Sequence, residues 1–146
     1  MKALLCIPLL LAAHAWAADA DADRAAIERV VGALNSAQSR PGARPDSSLF
    51  TADADNQLDR LENLNRRLSQ ASKEPWSETT TPKMVIQSIR FITPEVALVD
   101  AANTQYGAVI PARRIPVLLV MKKEGAEWRI ASLRVMVDLA AFMSLP

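Results

Sequence analysis

The chain has 146 residues, 50% of them apolar, 23% charged and only 4 glycine. That is one globular domain of ordinary composition, which excludes a disordered, collagen-like or disulfide-scaffold chain. The charges nearly cancel, with 17 basic and 16 acidic side chains. No basic run exceeds Arg66-Arg67 or Lys122-Lys123, which argues against a nucleic-acid partner.

Met1-Lys2 is a short positive start, and Ala3 to Ala13 is an unbroken apolar run. The run is too short to cross a bilayer. Ala15-Trp16-Ala17 follows as a small-residue cleavage pattern, with Ala13-His14-Ala15 as the other site that fits. Residues 1–17 therefore read as a signal peptide, and 18–146 as a single α+β domain that is exported, periplasmic or secreted. The competing reading of 1–17 is a buried N-terminal helix. Cleavage after Ala17 removes Lys2, Cys6, His14 and Trp16. The remainder carries 16 basic side chains against 16 acidic ones, with no cysteine and no histidine. A thiol nucleophile, a Ser-His-Asp triad and the usual zinc sites are then excluded by residue type. No glycine-rich phosphate loop or calcium-loop spacing occurs, so no cofactor and no metal are expected. No later apolar stretch reaches membrane-spanning length, so no membrane association is expected after cleavage.

Acidic residues from Asp19 to Asp23 suit a helix N-terminus. Ile27, Val30, Val31 and Leu34 recur at helical spacing and predict a helix over about Asp21 to Ser39, ended by Arg40-Pro41-Gly42. Residues 39–48 read as a loop and Leu49-Phe50 as an apolar anchor. Thr51 to Asp55 offers a second N-cap region. A second helix is expected from Asn56 to Ser72, with Leu58, Leu61, Leu64 and Leu68 on one side and a Glu62–Arg66 pair on its surface. Residues 73–83 form a polar connector containing Trp76. The period then changes from 3.6 to 2. Strands are expected at Met84–Ile92, Val96–Tyr106, Arg113–Lys123 and Glu127–Val137, with a tight turn at Glu124-Gly125.

Two helices followed by a four-stranded antiparallel meander make an α+β fold with the helices on one sheet face. A turn at Glu124-Gly125 opposes Lys123 to Ala126, Met121 to Trp128 and Ile115 to Arg134. That register puts Ile115, Val117, Leu119, Met121, Trp128 and Ile130 on a core face, with Ser132 and Arg134 as its polar exceptions. Lys122 then opposes Glu127 on the other side. In the first hairpin, Ser88 is expected to face Asp100, sharing a side with Met84 and Ile86. Both faces of that hairpin are half apolar. Such a sheet packs helices on one side and a partner subunit on the other.

Three segments carry a resemblance. Ile89-Arg-Phe-Ile-Thr-Pro-Glu-Val-Ala-Leu-Val-Asp100, Leu118 to Ala131 with its Lys-Lys-Glu-Gly turn and Trp-Arg-Ile, and Phe50-Thr-Ala-Asp-Ala-Asp55 resemble the nuclear-transport-factor-2-like superfamily, in its SnoaL-like branch. The resemblance implies a cone-shaped, cystatin-like α+β fold: a curved antiparallel sheet wrapped around helices, with an apolar cavity. It also implies a dimer through the outer sheet face. Members range from isomerases, cyclases and hydrolases to non-catalytic binding domains, so the fold does not select an activity. The chain departs from the pattern where a leucine-bearing helix and the 73–83 connector replace a glycine-rich strand and third helix. It departs again where Ser132 and Arg134 stand after Trp-Arg-Ile.

Four residues are candidates for a site. Asp100, mid-strand, is either a buried general base or a structural partner of Arg90. Tyr106, the single tyrosine, is either a donor to a ligand oxygen or a strand-end ring with a wet hydroxyl. Arg134 is either an anion clamp or an ion-pair partner of Asp53, Asp55 or Asp100. Trp76 either lines a cavity mouth or caps the sheet edge. The expected function is non-catalytic binding of a small apolar ligand or a protein partner. The alternatives are a cofactor-independent isomerase, lyase or hydrolase using Asp100, Tyr106 and Arg134, or a purely structural homodimer.

Overall fold

The structure, a computed structural model, describes residues 7–39, 44–72, 82–105 and 113–136. Helix α1 spans Ile7–Gln38, so it ends within a residue of expectation but begins well upstream. Its Ile27, Val31 and Leu34 are all but fully buried, as their spacing requires. A short 3₁₀ turn, Ser47–Leu49, is capped by Asp46, whose carboxylate accepts from the Ser48 N–H at 2.9 Å.

The next element corrects the sequence reading. Phe50–Asn56 is a strand, β1, and not a helix cap. Alternating Asp and Ala have little strand propensity, so only tertiary pairing with the C-terminal strand reveals it. Helix α2 follows at Leu58–Ser72. Asn56 Oδ1 accepts from the Leu58 N–H at 3.4 Å, a long cap. Gln57 joins strand to helix. Its N–H donates to the Leu133 carbonyl at 3.1 Å, and its Oε1 accepts from the Val135 N–H at 3.0 Å. The expected Glu62–Arg66 pair gives way to a hydrogen bond from Arg66 to Asn63.

Strands β2 (Lys83–Thr93), β3 (Val96–Gln105), β4 (Arg113–Glu124) and β5 (Glu127–Val135) form the expected antiparallel meander. With β1 added parallel to β5, the sheet is five-stranded and mixed, in the order β1-β5-β4-β3-β2. The four-stranded, purely antiparallel sheet is thus corrected by one strand.

Two bulges decide which residues are inside. The β4–β5 turn centres on Gly125-Ala126, with Gly125 at φ 66, so Glu124 opposes Glu127 and Met121 opposes Ile130. This register is slipped by two residues from the expected one. A two-residue slip preserves the faces, which is why Met121, Trp128 and Ile130 are buried as anticipated. The ladder then jumps from Met121↔Ile130 to Val120↔Ser132. The extra residue, Ala131, reverses the alternation. Leu133 and Val135 take the core positions, while Ser132 and Arg134 turn to the outer face. In β2, Gln87 is likewise extra between Ile86↔Ala101 and Ser88↔Asp100. The Ser88↔Asp100 pairing matches expectation, but Met84 and Ile86 lie on the opposite face from it, toward the helices.

The core lies between α1, α2 and the inner sheet face. Ile27, Leu34, Leu61, Leu119, Met121, Ile130 and Leu133 have 0% exposure. Each such side chain contributes about 1.5–3 kcal/mol through burial. Phe91 and Trp128 meet edge to face at 5.8 Å within this layer.

Candidate functional site

Three polar clusters and two cavities are set against this frame. In the first cluster, Asp23 on α1 reaches the β4–β5 hairpin. Its Oδ1 accepts from Lys123 Nζ at 2.7 Å and from Trp128 Nε1 at 2.8 Å. Lys123 and Trp128 stand opposite one another across the hairpin, and the ammonium lies 5.9 Å from the indole centroid. Partial burial pushes the Asp23 carboxyl up, but the hydrogen bonds from Lys123 and Trp128 and the lysine charge outweigh it, so its pKa falls below 3.8.

The second cluster is a side chain imitating a strand. Asn35 Nδ2 donates to the Met84 carbonyl at 2.9 Å, and the Met84 N–H donates to Asn35 Oδ1 at 2.8 Å. Both outward backbone groups of Met84, on edge strand β2, are thereby satisfied by α1. The third is a buried amide pair. Asn103 Nδ2 donates to Asn65 Oδ1 at 2.8 Å, joining β3 to α2, while Asn103 Oδ1 has no hydrogen-bond partner at 1% exposure. None of these groups was anticipated. Asn65 had a signal, since it follows Leu64 on the apolar side of α2.

The anticipated residues are not brought together in one cavity. Asp100 is exposed on the outer sheet face, where its Oδ2 accepts from Ser88 Oγ at 2.7 Å. Arg134 is on the same outer face because of the Ala131 bulge, and its guanidinium pairs with Asp55, one of its three anticipated partners. Asp53 and Asp55 are strand residues and not helix caps. Lys122 opposes Arg129, not Glu127, and pairs with Glu124 at 3.5 Å. Glu127 pairs instead with Arg129 at 2.9 Å. Tyr106 and Trp76 lie outside the described residues. Among the described residues, no three acidic, cysteine or histidine side chains gather to hold a metal. No described helix is long and apolar enough to cross a membrane.

On that outer face, Asp100, Leu118 and Arg134 form one cross-strand row, and Leu98, Val120 and Ser132 form the next. Leu98, Leu118 and Val120 are only half-buried. They make an apolar strip with an acid on the β3 side and a guanidinium on the β5 side.

The larger cavity, about 1000 Å³, is an open groove along β1, an outermost strand among those described, with Arg44 and Arg129 in its lining. Its floor is Phe50, Ala52, Ala54 and Asn56, and its far wall is the start of α2 with Asp59 and Glu62. The residues at 52 and 54 are alanines, which leaves the space open. A smaller cavity of about 410 Å³ lies between α1 and β2, beside Arg24, Glu28, Gly32 and Gln87.

No protein-family model matches the chain, and no curated protein matches it by sequence. Solved structures do match in shape. One is a protein of unknown function from Mycobacterium tuberculosis, with TM-score 0.50 and 13% identity over 89% of this chain and 80% of that one. Another is an NTF-2 like protein of unknown function from Shewanella oneidensis MR-1, with TM-score 0.45 and 12% identity over 77% of this chain and 98% of that one. At such identities the likeness concerns shape alone: the Mycobacterium tuberculosis protein shares the fold of two helices on a sheet built above.

Proposed function

We propose that the protein is an exported, non-catalytic interaction domain that binds a protein partner, in the first place a second copy of itself across the outer sheet face. The observation that carries this reading is the filled interior. Leu34, Leu61, Leu119, Met121, Ile130 and Leu133 occupy the space beneath the sheet with no exposure, which favours a protein partner over a small apolar ligand. The catalytic alternative needs Asp100 and Arg134, with Tyr106, at one cavity point. Instead Asp100 and Arg134 are each engaged on the open outer face, with Ser88 and Asp55 respectively.

The row Asp100–Leu118–Arg134 suggests how two copies meet. A two-fold axis running along β4 through Leu118 sets Asp100 against Arg134 of the partner subunit, and the reverse. An axis across the strands would set like charges together. The apolar strip of Leu98, Leu118 and Val120 lies at the centre of this contact, the place where binding energy concentrates.

Light scattering on the purified protein tests this. A dimer is expected at micromolar concentration, and Leu118→Arg is expected to make it monomeric with an unchanged far-ultraviolet circular dichroism spectrum. Asp100→Arg and Arg134→Asp are each expected to weaken the dimer, and the combined variant to recover much of the affinity. A wild-type monomer overturns the reading. Export is supported by Met1-Lys2, the apolar run to Ala13 and Ala15-Trp16-Ala17. Protein recovered outside the cytoplasm is expected to begin at Ala18 by mass spectrometry. Retention of Met1 in the cytoplasm would count against it.

A further inference from the structure

Three large apolar side chains stand exposed among the described residues: Val85 at 46%, Ile92 at 54% and Met136 at 59%. Two of them lie in one cross-strand row. Val85 stands opposite Ala102, Ala102 opposite Pro116, and the Met136 N–H donates to the Pro116 carbonyl at 2.9 Å. This row adjoins Asp100–Leu118–Arg134. It shares the outer face with it, because side chains return to the same face every second residue. The row carries no charge, and exposed apolar surface of this kind marks a contact site.

The row also has relief. Ala102 is small and recessed, at 4% exposure, between the exposed Val85 and Pro116. Neighbouring strands lie about 4.8 Å apart, so these two walls leave room for one unbranched side chain above the alanine methyl. Met136 has such a side chain, long, apolar and adaptable. It stands two strands away from Ala102, on the far side of Pro116, and is left largely in water.

The orientation proposed above for the dimer brings knob and dimple together. A two-fold axis along β4 through Leu118 lays β3 of one copy over β5 of the other, row upon row. The row that sets Asp100 against Arg134 of the partner subunit is followed by one that sets Met136 over Ala102 of the partner subunit. An axis across the strands would exchange the rows on either side of Leu118. It would lay Met136 over Ser132 of the partner subunit, an apolar side chain on a polar one.

We infer that Met136 of each copy seats on Ala102 of the partner subunit, and that this contact fixes which way round the two copies pair. The inference rests on the dimer reading above and adds its register. The contact occurs twice, once on each side of the axis, and extends the apolar strip of Leu98, Leu118 and Val120 by one row.

The test uses single-cysteine variants of the full chain carrying Cys6→Ser, which removes its one native thiol. Facing sheets pack about 10 Å apart, too far for a direct disulfide, so a short bismaleimide is the probe. An equal mixture of the Ala102→Cys and Met136→Cys proteins is expected to give a covalent dimer, and neither protein alone. A mixture of the Ala102→Cys and Leu98→Cys proteins is expected to give none, since those positions meet only with the axis across the strands. Met136→Ser is expected to raise the dimer dissociation constant about tenfold in analytical ultracentrifugation. Its far-ultraviolet circular dichroism is expected to stay unchanged, because the side chain is already exposed in the single copy. A dimer that links Ala102 to Leu98, or that Met136→Ser does not weaken, overturns the inference and leaves the dimer itself standing. A wild-type monomer overturns both.

Discussion

Asp23 is the residue with the widest mechanical reach, because one carboxylate oxygen ties α1 to both strands of the C-terminal hairpin. Asp23→Asn is expected to cost about 1–3 kcal/mol, the range for losing charge-assisted hydrogen bonds at a partly buried site. Its folded pKa lies below 3.8, so the folded state binds the proton more weakly than the unfolded chain does. Its contribution is therefore complete above the unfolded value and is lost as pH falls through the folded one. Wild-type stability is expected to drop below about pH 4, and the drop is expected to be shallower in Asp23→Asn. Urea midpoints at a series of pH values measure both, and parallel curves for the two proteins would refute the assignment. The amide pair behaves differently. Asn65→Ala leaves Asn103 with neither amide atom bonded and is expected to cost about 1–3 kcal/mol. Replacing both with leucine is expected to cost less than that single change, since no buried polar atom remains unpaired. A thermal-melt comparison of the two variants decides the point.

At the scale of elements, single inserted residues set the faces of strands. Ala131 is the one extra residue in β5 that carries Leu133 and Val135 inward and Arg134 outward. Deleting it leaves an unbroken ladder in which Ser132 still opposes Val120 and Leu133 still opposes Leu119, so Leu133 and Val135 stay inward and Arg134 outward. The deletion variant is expected to melt cooperatively close to wild type. An unfolded or molten variant would show that the local twist of the bulge is itself needed. Asn35 protects an edge in the same economical way, by satisfying both outward groups of Met84. Asn35→Ala is expected to cost about 1–3 kcal/mol and to speed hydrogen exchange at the Met84 amide.

At the scale of the whole molecule, α1 is tied to the sheet by Asp23, Ile27, Val31, Leu34 and Asn35. These lie beyond the expected cleavage point at Ala17. If residues 1–17 are a cleaved signal peptide, their removal is expected to leave the melting temperature within a few degrees of the full chain. A large loss on truncation would instead support the reading of 1–17 as part of the folded body.

The sequence by itself determined what local periodicity and composition control. The helical spacing of Ile27, Val31 and Leu34, the period-two strands and the Gly125 turn set the α+β class and the meander. Residue types alone removed triads and zinc sites from the chain beyond Ala17. Only the tertiary structure decided features that depend on partners distant in sequence. The strand at Phe50–Asn56 exists because β5 lies beside it, and its Asp-Ala alternation carries no propensity signal. The outward turn of Arg134 follows from the bulge at Ala131, and the separation of Met84 and Ile86 from the face of Asp100 follows from that at Gln87, where one residue reverses the alternation on which any face assignment rests.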